Sequence, residues 1–150
     1  QVLVEGLALA AFALIRDYTS EPLMKEMLAY VMQDEARHVA FGVLSLRLAY
    51  EGMSDSDRKI REEFAFEGCQ LMYHRFLAEE VAESMGMPKN EWIEIQKNSD
   101  VMKEFRKLLF SRVVPILKRL DLLTDRMRPH YADLGILRWE NEPTGLPVAA

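Results

Sequence analysis

The sequence predicts an all-α protein, on three observations. Apolar residues recur at spacings of three and four over long stretches. Helix-boundary residues separate those stretches: Thr19-Ser20-Glu21-Pro22, then Gly52 with Ser54-Asp55-Ser56-Asp57, then Gly86 with Pro88. The two-residue alternation of a half-buried strand is missing from the sequence.

Taken in order, the first helix spans about Gln1 to Asp17. Gln1, Glu5, Ala8, Phe12 and Ile15 step by four, three, four and three, so they share one stripe. Tyr18 to Pro22 makes a turn, in which Thr19 or Ser20 caps the second helix and Pro22 occupies its first turn. The second helix runs from Pro22 to about Glu51. Its inward stripe is read as Met24, Leu28, Val31, Glu35, His38, Gly42, Ser45 and Ala49, which turns small toward its end and leaves room for close helix approach or a bound molecule. Gly52 ends it. Ser54 and the acids after it open a third helix, expected to reach Met85 with Ile60, Phe64, Leu71, Phe76 or Leu77, and Val81 on its apolar face. Asn90 caps a short helix, Glu91 to Lys97. A fifth helix runs from about Ser99 to Thr124, with a kink expected at Pro115. From Arg128 three prolines predict an extended surface tail. The organisation is therefore a hairpin over 1–51, further packing helices over 52–127, and a tail over 128–150.

The 150 residues suit one domain with a real core, and 49% apolar with 29% charged residues is a globular composition. A net charge of −5 without a Lys/Arg cluster argues against nucleic acid. A single cysteine, Cys69, rules out an intramolecular disulfide and a Cys-rich zinc site, and suits the reducing cytoplasm. The apolar run Gln1–Ile15 is too short for a membrane span and carries Glu5. It has no initiator Met and no N-cap, so the chain is expected to be the C-terminal part of something longer, or processed.

The chemistry concentrates in Val31-Met-Gln-Asp-Glu-Ala-Arg-His38. Glu35 and His38 are three residues apart on a helix, so they leave one face about 5–6 Å apart at Cβ. That suits two ligands of one metal ion. Both sit in a stripe where Leu or Ile is the usual choice. Glu5 is the only acid in the first sixteen residues, and a buried acid needs a partner. Glu5 and Glu35 each lie fifteen residues from Ser20, roughly 22 Å of helix on either side of the turn. An antiparallel hairpin therefore brings them level. Carboxylate and imidazole together make a hard site suited to iron or manganese. Asp34 is a candidate to orient a metal-bound His on another helix, against a plain ion pair with Arg37. Ala8, Phe12, Leu28 and Val31 flank the ligands within a turn or two, as pocket lining or as plain core.

Val4-Glu5-Gly6-Leu7 followed by Asp34-Glu-Ala-Arg-His38-Val-Ala-Phe-Gly42 resembles the second half of the ferritin-like di-iron carboxylate superfamily. Within it, the stretch is most similar to ribonucleotide-reductase R2-like proteins, especially the R2-like ligand-binding oxidases, and to bacterial di-iron monooxygenase hydroxylases. The likeness covers about residues 1 to 50. It implies that Glu5, Glu35 and His38 are metal ligands, with Asp34 and Arg37 around them, in a ferritin-like four-helix bundle of which this chain supplies the second helix pair. It also implies two iron ions, or one iron and one manganese. That site needs a further Glu and a further Glu-x-x-His, and neither is in this sequence. The other three ligands are expected from a missing N-terminal half, a companion chain or a symmetry mate, most simply in a homodimer. Arylamine N-oxygenases carry a His one turn before the ligand Glu, where this chain has Val31.

The resemblance implies an O₂-dependent oxidase or oxygenase acting on a partly apolar organic substrate. The alternatives are a ferroxidase or iron-storage protein, and a non-enzymatic helical interaction protein whose polar cluster is structural. His74, with Glu67 and Gln70 on a similar face, reads as a satisfied or exposed residue rather than a second polar site, and His130 as surface.

Overall fold

A computed structural model describes residues 2–144. Every regular element in that span is helical, as the periodicity predicts. The helices are α1 (Val2–Tyr18), α2 (Pro22–Tyr50), α3 (Asp55–Arg75), α4 (Glu79–Ser84), α5 (Lys89–Asn98), α6 (Asp100–Arg119) and α7 (Arg128–Asp133), followed by a 3-10 turn, Leu137–Trp139.

The core is built around α6. Phe105, Leu109, Phe110, Val113, Val114, Ile116 and Leu117 are all buried on it. Pro115 lies inside this helix, which continues to Arg119. The missing proline N–H costs one helical bond, a loss that burial of the surrounding side chains offsets.

α1 packs against both α2 and α6. Its buried residues are Val2, Gly6, Leu9, Ala10 and Ala13. Small residues let it approach α6 closely: a Cβ added at Gly6 would lie 3.2 Å from Val113 Cγ2. The expected stripe of Glu5, Ala8 and Phe12 is half-buried rather than central, and Ile15 is exposed. Gln1, the first member of that stripe, lies outside the described residues. The seam is displaced by one residue because α1 meets two helices at once, and the tighter contact claims the smaller side chains.

α2 shows the same displacement. Leu28, Val39, Gly42 and Val43 are buried, and Met32 and Leu46 pack on the core. Glu35 is on this seam, whereas His38 is at its edge and Met24 and Ala49 are exposed. Leu23, Met27, Tyr30, Phe41, Leu44 and Leu48 are exposed as well. The helix is apolar on more than one side, so spacing alone does not select the buried one. Its cap is Glu21, whose side chain accepts from the Leu23 N–H at 3.3 Å, rather than Thr19 or Ser20. Thr19 Oγ1 accepts instead from the Glu21 N–H.

The expected third helix divides. α3 starts at the Ser54 cap, which accepts from the Asp57 N–H at 3.2 Å, but the helix stops at Arg75. Ala78 then adopts a left-handed conformation, φ 52°, and α4 follows. The break buries Leu77 and presents its carbonyl to the Trp92 indole N–H at 2.7 Å. That tertiary bond holds a conformation which local propensity disfavours. On α3 the buried residues are Glu62, Ala65 and Cys69, whereas the expected face of Ile60, Phe64 and Leu71 is exposed, as is Val81 on α4. α5 starts at Lys89, ahead of the Asn90 cap expected for it.

The tail is not a simple extended segment. Tyr131 is fully buried, and Met127, Ile136 and Trp139 join the core. Pro129 sits in the first turn of α7, where a proline loses no bond. The part of the expected tail beyond Thr144 lies outside the described residues. Arg126, between α6 and α7, ties this region back to α3: its Nε donates to Glu62 at 2.9 Å and its Nη1 to Glu63 at 2.8 Å.

Candidate metal centre

The turn of Thr19–Glu21 folds α1 and α2 into a hairpin. Fifteen residues on either side of Ser20 place Glu5 opposite Glu35, one turn before His38. One ligand atom from each of Glu5, Glu35 and His38 lies within 4.8 Å of the others. Among the described residues this is the one such group of three metal-type side chains.

The three side chains differ in setting. Glu5 is half-buried, and its Oε2 is inaccessible and has no hydrogen-bond partner. Glu35 retains 24% of its side-chain exposure and its Oε2 lies 3.4 Å from His38 Nδ1. His38 is the outermost, with 59% of its side chain exposed. Two carboxylates and an imidazole thus converge with one buried oxygen unsatisfied. An oxygen-rich donor set of this kind fits a hard divalent or trivalent cation. A buried carboxylate oxygen without a donor is costly.

No known protein family, curated protein or solved structure matches the chain.

The remaining residues singled out from the sequence divide. Asp34 and Arg37 form an ion pair with each other on the exposed side of α2, the plainer of the two roles considered for them. Leu28 is buried, and Ala8, Phe12 and Val31 are half-buried around the hairpin. None of those four lines the large cavity next to the cluster. That cavity has a volume of about 630 Å³ and starts one helical turn beyond His38, at Gly42, continuing along Ser45 and Ala49. Leu3 and Val4, the neighbours of Glu5, close it from α1, with Phe64 and Leu117 opposite. The run of small residues on α2 was the sequence signal for it. The contribution of α3 and α6 depends on tertiary packing and left no local trace. His74 and His130 are exposed, and His130 lies with its ring 5.5 Å from that of Phe66.

Proposed function

We propose that Glu5, Glu35 and His38 form half of a carboxylate-bridged di-metal centre, of two irons or iron and manganese, in an O₂-dependent oxidase or oxygenase. The observation that carries this reading is the buried, unpartnered Glu5 Oε2 beside the Glu35–His38 pair. A protein interior seldom leaves such an oxygen unsatisfied, and a shared cation satisfies it without a further donor. When bound, the metal pair would supply O₂ activation.

This chain's own residues would do the rest. Glu5 and Glu35 present oxygens from facing helices, and both would hold the metal. His38 would offer it one ring nitrogen and keep the other for an orienting acceptor. The largely apolar cavity starting at Gly42, which Arg61 also lines, would hold the carbon skeleton of the substrate within a turn of the reacting centre. A cavity of this size and lining favours an organic substrate over storage of iron alone.

The remaining three ligands would come from a second helix pair, on an N-terminal segment, a companion chain or another copy in a homodimer. The exposed apolar residues Val4 of α1 and Phe41, Leu44 and Leu48 of α2 support this reading. A second hairpin laid over α1 and α2 to complete a ferritin-like bundle would cover them. Among the described residues no helix is long and apolar enough to cross a membrane.

Metal analysis of the whole protein, with anomalous scattering, tests the assignment. Density at Glu5, Glu35 and His38 that vanishes in Glu35→Ala, together with O₂ consumption that vanishes in the same variant, is the expected result. A fully folded protein that takes up neither iron nor manganese would remove it.

A further inference from the structure

A second cavity, about 430 Å³, lies at the other end of the fold, between the end of α3, the α5–α6 corner and the segment after α7. Its charged lining is entirely cationic: Lys97, Lys103, Arg106 and Arg138. In a protein of net charge −5 this is not an average piece of surface. Tyr73 and Trp139 supply aromatic walls.

Arg106 is the unusual member. Its residue exposure is only 8%, and its hydrogen-bond partners among the described residues are backbone carbonyls rather than a carboxylate. Its Nη1 and Nη2 donate to the Gln96 carbonyl at 3.3 Å, and Nη2 also to the Lys97 carbonyl at 3.0 Å. These are the last carbonyls of α5, and a helix C-terminus supplies about half an elementary charge. That is less than a counter-ion. A guanidinium has five N–H donors, so its Nε–H and one Nη1–H remain for something else. A buried cation is normally paired with a full negative charge.

The neighbours suit an anion too. Lys97 and Lys103 make only loose, exposed pairs with Glu94 (3.8 Å) and Asp100 (3.6 Å), which cost little to give up. Arg138 is held with Cζ 4.3 Å from the centroid of the Trp139 ring, a cation–π contact that leaves its charge unneutralised. A planar guanidinium also stacks on flat rings.

We propose that this cavity binds a phosphate monoester of mononucleotide size. Arg106, Lys97 and Lys103 take the phosphate, and Tyr73 with the Arg138–Trp139 pair takes the organic part. A dianion meets several cations at once, and a fork of N–H donors matches phosphate oxygens. The volume holds more than a bare oxyanion. The site is separate from the Glu5–Glu35–His38 cluster and does not rest on it.

The test is calorimetric titration of the whole purified protein, in low salt with EDTA present so that metal-bound phosphate does not contribute. The probes are AMP, adenosine and inorganic phosphate. The expected result is saturable binding of AMP that weakens with added salt, with inorganic phosphate weaker by about tenfold or more and adenosine not bound. Lys103→Gln combined with Arg138→Gln, two exposed positions whose change leaves the core intact, should cost AMP about tenfold or more in affinity. Arg106→Gln should abolish binding, with circular dichroism reporting whether α5 survives the loss of its cap. Failure of AMP to bind, or equal affinity in the double variant, overturns the proposal. Adenosine binding as tightly as AMP removes the phosphate, and inorganic phosphate binding as tightly as AMP removes the organic ligand.

Discussion

Replacing Glu5 by Met separates a metal ligand from a merely buried acid. In the metal-free protein the Glu5 Oε2 is buried without a donor, which costs about 1–3 kcal/mol. Met keeps the volume and removes the unsatisfied oxygen. Glu5→Met should therefore stabilise the metal-free protein by about 1–3 kcal/mol, or roughly 2–10 °C in Tm for a chain of this size. With metal the order reverses. A cation at a hundred times its dissociation constant stabilises the wild type by about 2.7 kcal/mol, and the variant has lost a ligand. The assay is thermal melting of both proteins in EDTA and in Mn²⁺ or anaerobic Fe²⁺, with bound metal counted in parallel. A metal-free melting point that falls in Glu5→Met refutes the unsatisfied-oxygen argument. A wild-type melting point indifferent to both metals refutes the ligand argument.

Four further outcomes can be checked. Ser45→Leu fills the cavity beside the cluster, so metal content should be unchanged while oxidation of an apolar substrate falls by about tenfold or more, read by product analysis. Trp92→Phe removes the indole donor to the Leu77 carbonyl and should cost about 0.5–1.5 kcal/mol in urea unfolding, with proteolysis appearing first around Ala78. Burial pushes the Cys69 thiol up to about 12, so a thiol reagent at pH 8 should label it only at the rate of unfolding. Because that pKa is raised, the stabilisation is complete below the ordinary thiol value of 9.0 and is lost as pH rises toward 12. Cys69→Ala should flatten the alkaline loss, leaving the part due to the buried Tyr131 phenol, which burial also pushes up.

Local periodicity and boundary residues determined the helical class, the hairpin of α1 and α2 and the Ser54 cap. They act within a few residues, and the tertiary structure works with them rather than against them. The pairing of Glu5 with Glu35 was legible for a geometric reason: equal path lengths from one turn bring two residues level whatever else the chain does. Rotation of the helices about their axes was decided elsewhere. α1 must satisfy α2 and α6 together, so Gly6, Ala10 and Ala13 won the buried seam over Ala8 and Phe12. The break at Ala78 depends on an indole fifteen residues from the carbonyl it meets, and the folding of Tyr131 and Trp139 into the core depends on space left by α3 and α6. Spacing records which residues share a face. Which face is buried depends on the partner, and the partner is set by packing between segments far apart in the chain.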